Sequence, residues 1–112
     1  MVDTVSQSAA IAISTSLSAA IALGEKVAVG IVMPSGWDAA NLTFQGSADG
    51  GATFNNVYDS SGNELTVTAA ASRYIYLDPS AFVGLNQIKV RSGTNGTPVN
   101  QTAARALTIV TR

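Results

Sequence analysis

Gly24-Glu25-Lys26-Val27-Ala28-Val29-Gly30-Ile31-Val32-Met33-Pro34-Ser35-Gly36 sets an apolar run between two turn signals. Val27, Val29, Ile31 and Met33 fall on alternate positions, the period of a strand with one face buried. Gly24-Glu25-Lys26 turns the chain into this run. Pro34-Ser35-Gly36 ends it, because proline has no N–H to give to a central ladder. Upstream, Ile11, Ile13, Leu17, Ile21 and Leu23 all occupy odd positions with Ala and Ser mostly between them, which predicts an earlier stretch of the same period. A helix competes there, since Ile13, Leu17 and Ile21 are four apart and Ala is the best helix former. Ser14, Thr15, Ser16 and Ser18 are poor helix-interior residues and favour the strand.

Downstream the pattern repeats. Leu42 and Phe44 face one way and Thr43 and Gln45 the other, up to Gly46. Residues 47–56 are rich in Gly, Asn and Asp and turn the chain back into Val57 and Tyr58. Asp59-Ser60-Ser61-Gly62-Asn63 is the next turn, before Leu65-Thr66-Val67-Thr68. Residues 73–77 alternate again, with Tyr74 and Tyr76 opposite Ile75 and Leu77, and either pair could face the core. Asp78 followed by Pro79 reads as an N-cap and first helical position, so one short helical turn is expected near 79–83, ended by Gly84. Ile88 and Val90 then point inward while Lys89 and Arg91 stay wet. The last strand, residues 106–111, carries Leu107 and Ile109. Roughly seven or eight short strands with turn signals about every ten residues predict an all-β fold, an antiparallel β-sandwich or jelly roll. The expected core includes Ile31, Phe44, Val67, Ile88, Val90, Leu107 and Ile109.

Composition narrows the function. The 112 residues suit one domain, read as 16–112, with residues 1–15 as an N-terminal arm or an ordinary first strand. Net charge is −1 and only 12% of residues are charged, so the basic excess that holds a phosphate backbone is missing and no nucleic-acid partner is expected. There is no Cys and no His, which removes thiolate nucleophiles, imidazole bases, disulfides and the usual zinc spheres. Hydrophobic residues make up 46% and aromatics 6%, so the core is expected to be mainly aliphatic. Mean hydropathy is +0.26, and the most apolar stretch, residues 19–33, is interrupted by Gly24, Glu25 and Lys26, so no transmembrane span is expected. Met1-Val2-Asp3-Thr4 has no positive region ahead of its apolar residues, and a secretory signal is not expected.

Four constellations bear on chemistry. Ser47-Ala48-Asp49-Gly50-Gly51-Ala52-Thr53-Phe54 resembles the Asp-box of β-propeller sialidases and other secreted β proteins, in which the motif is a folded hairpin rather than an active site. Asp49 can accept backbone N–H bonds across the turn, Gly51 can take positive φ, and Phe54 can anchor the hairpin to the core. Asp59, Asn63 and Glu64 offer oxygen at short spacing, as calcium needs, but Ser61 and an early Gly62 break the EF-hand pattern and a plain hairpin turn is the simpler reading. Asp38, Asp49, Asp59, Glu64 and Asp78 could supply a glycosidase pair only if the fold joined them, and all sit in predicted turns, where Asp serves its own hydrogen bonding. Trp37, Tyr58, Tyr74 and Tyr76 could stack on sugar rings, although Trp37 beside Pro34-Ser35-Gly36 fits a plug at one end of a sandwich. No catalytic residue, cofactor or metal is assigned.

The order of segments resembles a family of small tailed-bacteriophage virion proteins. The resembling features are Ile31-Val32-Met33-Pro34 with Trp37-Asp38-Ala39-Ala40, Leu42-Thr43-Phe44-Gln45, the Asp-box-like residues 47–54, and Val57-Tyr58-Asp59 with Gly62-Asn63-Glu64. They continue with Leu77-Asp78-Pro79, Ile88-Lys89-Val90-Arg91-Ser92-Gly93-Thr94 and Pro98-Val99-Asn100-Gln101. The resemblance covers residues 16–112. It implies a β-sandwich of jelly-roll or galactose-binding-like kind that acts as a non-enzymatic decoration or cement protein on the capsid surface, assembled in the host cytoplasm, with the major capsid protein and copies of itself, as a homotrimer, for partners. A head-to-tail connector or tail component, and a carbohydrate-binding module on a fibre, are the alternative readings. Composition agrees: a weakly charged chain without catalytic groups suits a part that works by presenting surface.

Overall fold

The computed structural model describes residues 4–112. Among them are β1 Val5–Ile11, β2 Ile21–Ala22, β3 Ala28–Val32, β4 Leu42–Ser47, β5 Asn55–Asn56, β6 Tyr74–Tyr76, β7 Gln87–Ser92 and β8 Arg105–Thr111, with a 3₁₀ turn at Pro79–Ala81. They form two four-stranded sheets, ordered β1-β8-β3-β6 and β2-β7-β4-β5. β1 pairs with β8, β2 with β7, β3 with β6 and β4 with β5, all antiparallel. These nested pairs are one long hairpin with its tip between β4 and β5, rolled so that successive pairs fall in alternate sheets. That is the jelly roll.

Between the sheets lie Ile11, Ile31, Leu42, Phe44, Ile88, Val90, Leu107 and Ile109, each fully buried, with Phe82 at the 3₁₀ turn. Phe44 and Phe82 meet edge to face, centroids 5.2 Å apart and planes at 88°. Six of the seven expected core residues are therefore in place. Val67 is the exception, only half-buried, because its segment touches the second sheet through a single bridge to Leu42 instead of forming a strand. The expected strand at Val57 and Tyr58 is likewise displaced: the ladder with β4 is made by Asn55 and Asn56.

The alternating runs needed two corrections. In β3 the register against β8 shifts between Ala28 and Gly30. One extra residue reverses which side chains face inward, so Ala28 and Ile31 are buried while Val27 and Val29 are half-buried. In the run from Ile11 to Leu23 the chain changes sheets. Thr15 N–H closes a turn on the Ala12 carbonyl at 3.1 Å, Ser14 takes φ of 63°, and Ile13 is left 60% exposed. Leu17 then bridges to Arg91 in the other sheet. Period two cannot persist through a crossover, because the faces are redefined on the far side.

Residues 5–11, within the segment read as arm or first strand, pair with β8 along their whole length and bury Ala9 and Ile11; residues 1–3 lie outside the described part. In β6 and just after it, Ile75 and Leu77 turn inward and Tyr74 and Tyr76 outward. The helical turn forms with Asp78 as its cap, its Oδ1 accepting the Ser80 N–H at 3.1 Å. No helix among the described residues is long and apolar enough to cross a membrane.

Candidate functional site

The Asp-box-like segment is a closed hairpin. The Ser47 hydroxyl donates to Asp49 Oδ1 at 2.7 Å and accepts the Gly51 N–H at 2.8 Å, and Asp49 Oδ1 also accepts the Thr53 N–H at 2.9 Å. Gly51 sits at φ of 98°, a region that side chains rarely adopt. Asn86 and Gln87 fasten the tip through Gly50. Phe54 does not reach the core as expected. It lies half-buried just ahead of β5, with the Lys89 ammonium of β7 4.4 Å from its ring centroid, on the side of the sheet away from the core.

Arg91, expected in water, is only 6% exposed. Its guanidinium donates to Thr43 Oγ1 at 3.2 Å, Glu64 Oε2 at 3.2 Å and Asn56 Oδ1 at 2.6 Å. Both Glu64 oxygens also accept the Asn95 N–H, at 3.2 and 3.1 Å. The outward face of β7 is thus covered by the segments around Asn56, Glu64 and Asn95, which alternation within β7 could not reveal. This arrangement separates the residues considered for calcium: Glu64 turns to Arg91, while Asp59 Oδ1 accepts the Ser61 and Asn63 N–H groups at 2.9 and 3.0 Å.

At one end of the sandwich, Trp37 is 8% exposed and its indole N–H donates to the Ala40 carbonyl at 3.0 Å. Beside it Gln101, fully buried, accepts the Asp38 N–H at 2.9 Å and donates to Ser92 Oγ at 2.9 Å. Asp38 pairs with Arg105 at 3.2 Å and accepts the Thr102 N–H at 2.6 Å. Trp37 is therefore a plug rather than a platform. Of the five carboxylates considered for hydrolysis, Asp38 and Glu64 are engaged in ion pairs and Asp49 in its hairpin, while Asp59, held by its turn, and Asp78, the cap of the 3₁₀ turn, line one hollow. Among the described residues no three of His, Cys, Asp or Glu cluster as a metal site would need.

Two of these carboxylates make folding sensitive to acid. Bonds from Thr102, then the Arg105 charge, hold Asp38 below its ordinary 3.8, and bonds from the Ser47 hydroxyl and the Thr53 N–H do the same for Asp49. A lowered folded value means that the stabilisation is complete above the unfolded value and is lost as pH falls through the folded one. Asp38→Asn and Asp49→Asn are expected to be less stable than the parent at neutral pH, with the gap closing in acid. A gap independent of pH in thermal melts would contradict this assignment.

The surface feature that the sheets create is the outward face of β1-β8-β3-β6. Register places Ser8, Thr108, Val32 and Tyr74 in one row across the four strands, and Ser6, Val110, Gly30 and Tyr76 in the next. Neither row contains a charge. The Tyr74 side chain lies across Gly30, where a Cβ would collide with its hydroxyl. Tyr74 and Tyr76 remain 57% and 74% exposed, and Val32 39%. Alternation of Ser6, Ser8 and Ala10, and of Ala106, Thr108 and Val110, was the available sequence signal, but it does not say which strands lie side by side. Comparison with known proteins finds no matching family model and no similar curated protein.

Proposed function

We propose that this chain is a non-enzymatic structural protein of a tailed-phage virion, which decorates the capsid and reinforces it where shell subunits meet. The supporting observation is the outward face of β1-β8-β3-β6, whose two rows across the strands carry no charge, with small side chains and the exposed ring of Tyr74. Such a face can be covered without desolvating ions, and an exposed tyrosine is a favoured anchor in protein contacts. The sequence resemblance to small virion proteins supplies the setting, with the major capsid protein and further copies of the chain, as a trimer at local three-fold positions, for partners. Binding only the assembled lattice adds contacts that free subunits lack, so the shell gains stability by mass action.

Thr108→Lys tests this reading. Thr108 is central in its row, so a lysine there sets an ammonium against the shell, while the isolated chain is expected to stay within about 0.5 kcal/mol of the parent. Particles carrying the parent protein are expected to survive heating better than particles without it, and the variant is expected to leave the shell. Equal heat resistance, or imaging that finds the protein only in the tail, would replace this reading with the connector or fibre alternative.

A further inference from the structure

Two hollows lie side by side along the edge of the sandwich, of about 510 and 360 Å³, and both are lined by Leu65, Asp78 and Ala81. They therefore run together as one groove, between the segment that follows β5 and the segment joining β6 to the 3₁₀ turn. Each hollow contains one exposed aromatic ring, Tyr58 in the first at 52% exposure and Tyr76 in the second at 74%. From this geometry we infer that the groove binds a neutral oligosaccharide of about two or three pyranose units, a volume match to binding pockets of this scale.

The chemistry of the walls selects that ligand. A pyranose has an apolar C–H face and a rim of hydroxyls. Its face suits the tyrosine rings, and its hydroxyls suit acceptors held in place. Asp59 and Asp78 both line the first hollow. Each is fixed through Oδ1, Asp59 by the Ser61 and Asn63 N–H groups and Asp78 by the Ser80 N–H and hydroxyl. Among the described residues neither Oδ2 has a hydrogen-bond partner, so each can take a charge-assisted bond from a sugar hydroxyl. The side chains are already ordered by their turns, which lowers the entropic cost of binding. No Lys or Arg lines either hollow, so sialic and uronic acids would meet two carboxylates without a counter-charge. A peptide strand is a poorer occupant, because β6 has only three residues, Tyr74–Tyr76, before Pro79 interrupts the edge.

The test is a nuclear magnetic resonance titration of the isotope-labelled full chain with cellotriose, maltotriose, chitotriose and mannotriose at millimolar concentration, with sialyllactose as the anionic control. At least one neutral trisaccharide is expected to shift resonances in residues 57–60, 65–68 and 75–82. Tyr58→Ala and Tyr76→Ala, both at exposed positions that leave folding intact, are each expected to weaken binding roughly three- to ten-fold, the scale of one aromatic contact. The inference is overturned by silence with every neutral trisaccharide, by shifts that persist unchanged in both variants, by equal binding of sialyllactose, or by an extended peptide that shifts these residues when the sugars do not. The assay uses the free chain. Tyr76 borders both the groove and the outward face, so the two readings are separated by Thr108→Lys, which lies outside the groove, and Tyr58→Ala, which lies outside the face.

Discussion

Phe44→Ala lowers the free energy of unfolding by about 3 to 5 kcal/mol, the range for removing a fully buried aromatic ring. Phe44 is 0% exposed at the centre of β4 and is paired across from Val90. The substitution removes transfer free energy and leaves a cavity beside Phe82, whose edge-to-face contact is also lost. Collapse into the space is limited, because the 3₁₀ turn that holds Phe82 is capped by Asp78. Denaturant unfolding should show a lower midpoint with an unchanged slope. A midpoint equal to the parent's would remove Phe44 from the core.

Glu64→Ala is expected to cost about 2 to 4 kcal/mol, at the lower side of the range for stranding a buried charge. The Arg91 and Glu64 side chains are 7% and 15% exposed, so water can relieve only part of the loss. Removing the carboxylate leaves Arg91 with Thr43 and Asn56, which carry no countercharge, and frees the Asn95 N–H. The double substitution Glu64→Ala with Arg91→Met is expected to be less destabilised than Glu64→Ala alone, because no unpaired charge then remains under the covering segments. If the two losses simply add, the ion pair is not what holds those segments to β7.

Where a segment's environment is uniform along its length, its pattern read correctly. Ile88 and Val90 in β7, and Leu107 and Ile109 in β8, keep one face to the opposite sheet from end to end, and all are buried as expected. The cap at Asp78 and the hairpin around Asp49 were legible because their bonds close within a few residues. Alternation failed at Val29 and Ile13, where a bulge and a change of sheet redefine the inward face. It failed again at Arg91, because a strand's own residues do not report what folds over them.

By itself the sequence determined that this is an all-β chain with an aliphatic core, chain-local turn chemistry and no thiol or imidazole to work with. Residue period, proline and glycine placement and composition are properties of neighbours in the chain, and they need no fold to be read. Only the tertiary structure decided that β1 lies beside β8 and β8 beside β3, and so that Ser8, Thr108, Val32 and Tyr74 form one charge-free row. It alone also brought Tyr58 and Tyr76 to a shared groove. Such pairings join residues as much as 106 positions apart (Val5 with Thr111), and the choice among them is made by how the two sheets close over a common core, a free energy summed over the whole chain that no local pattern carries.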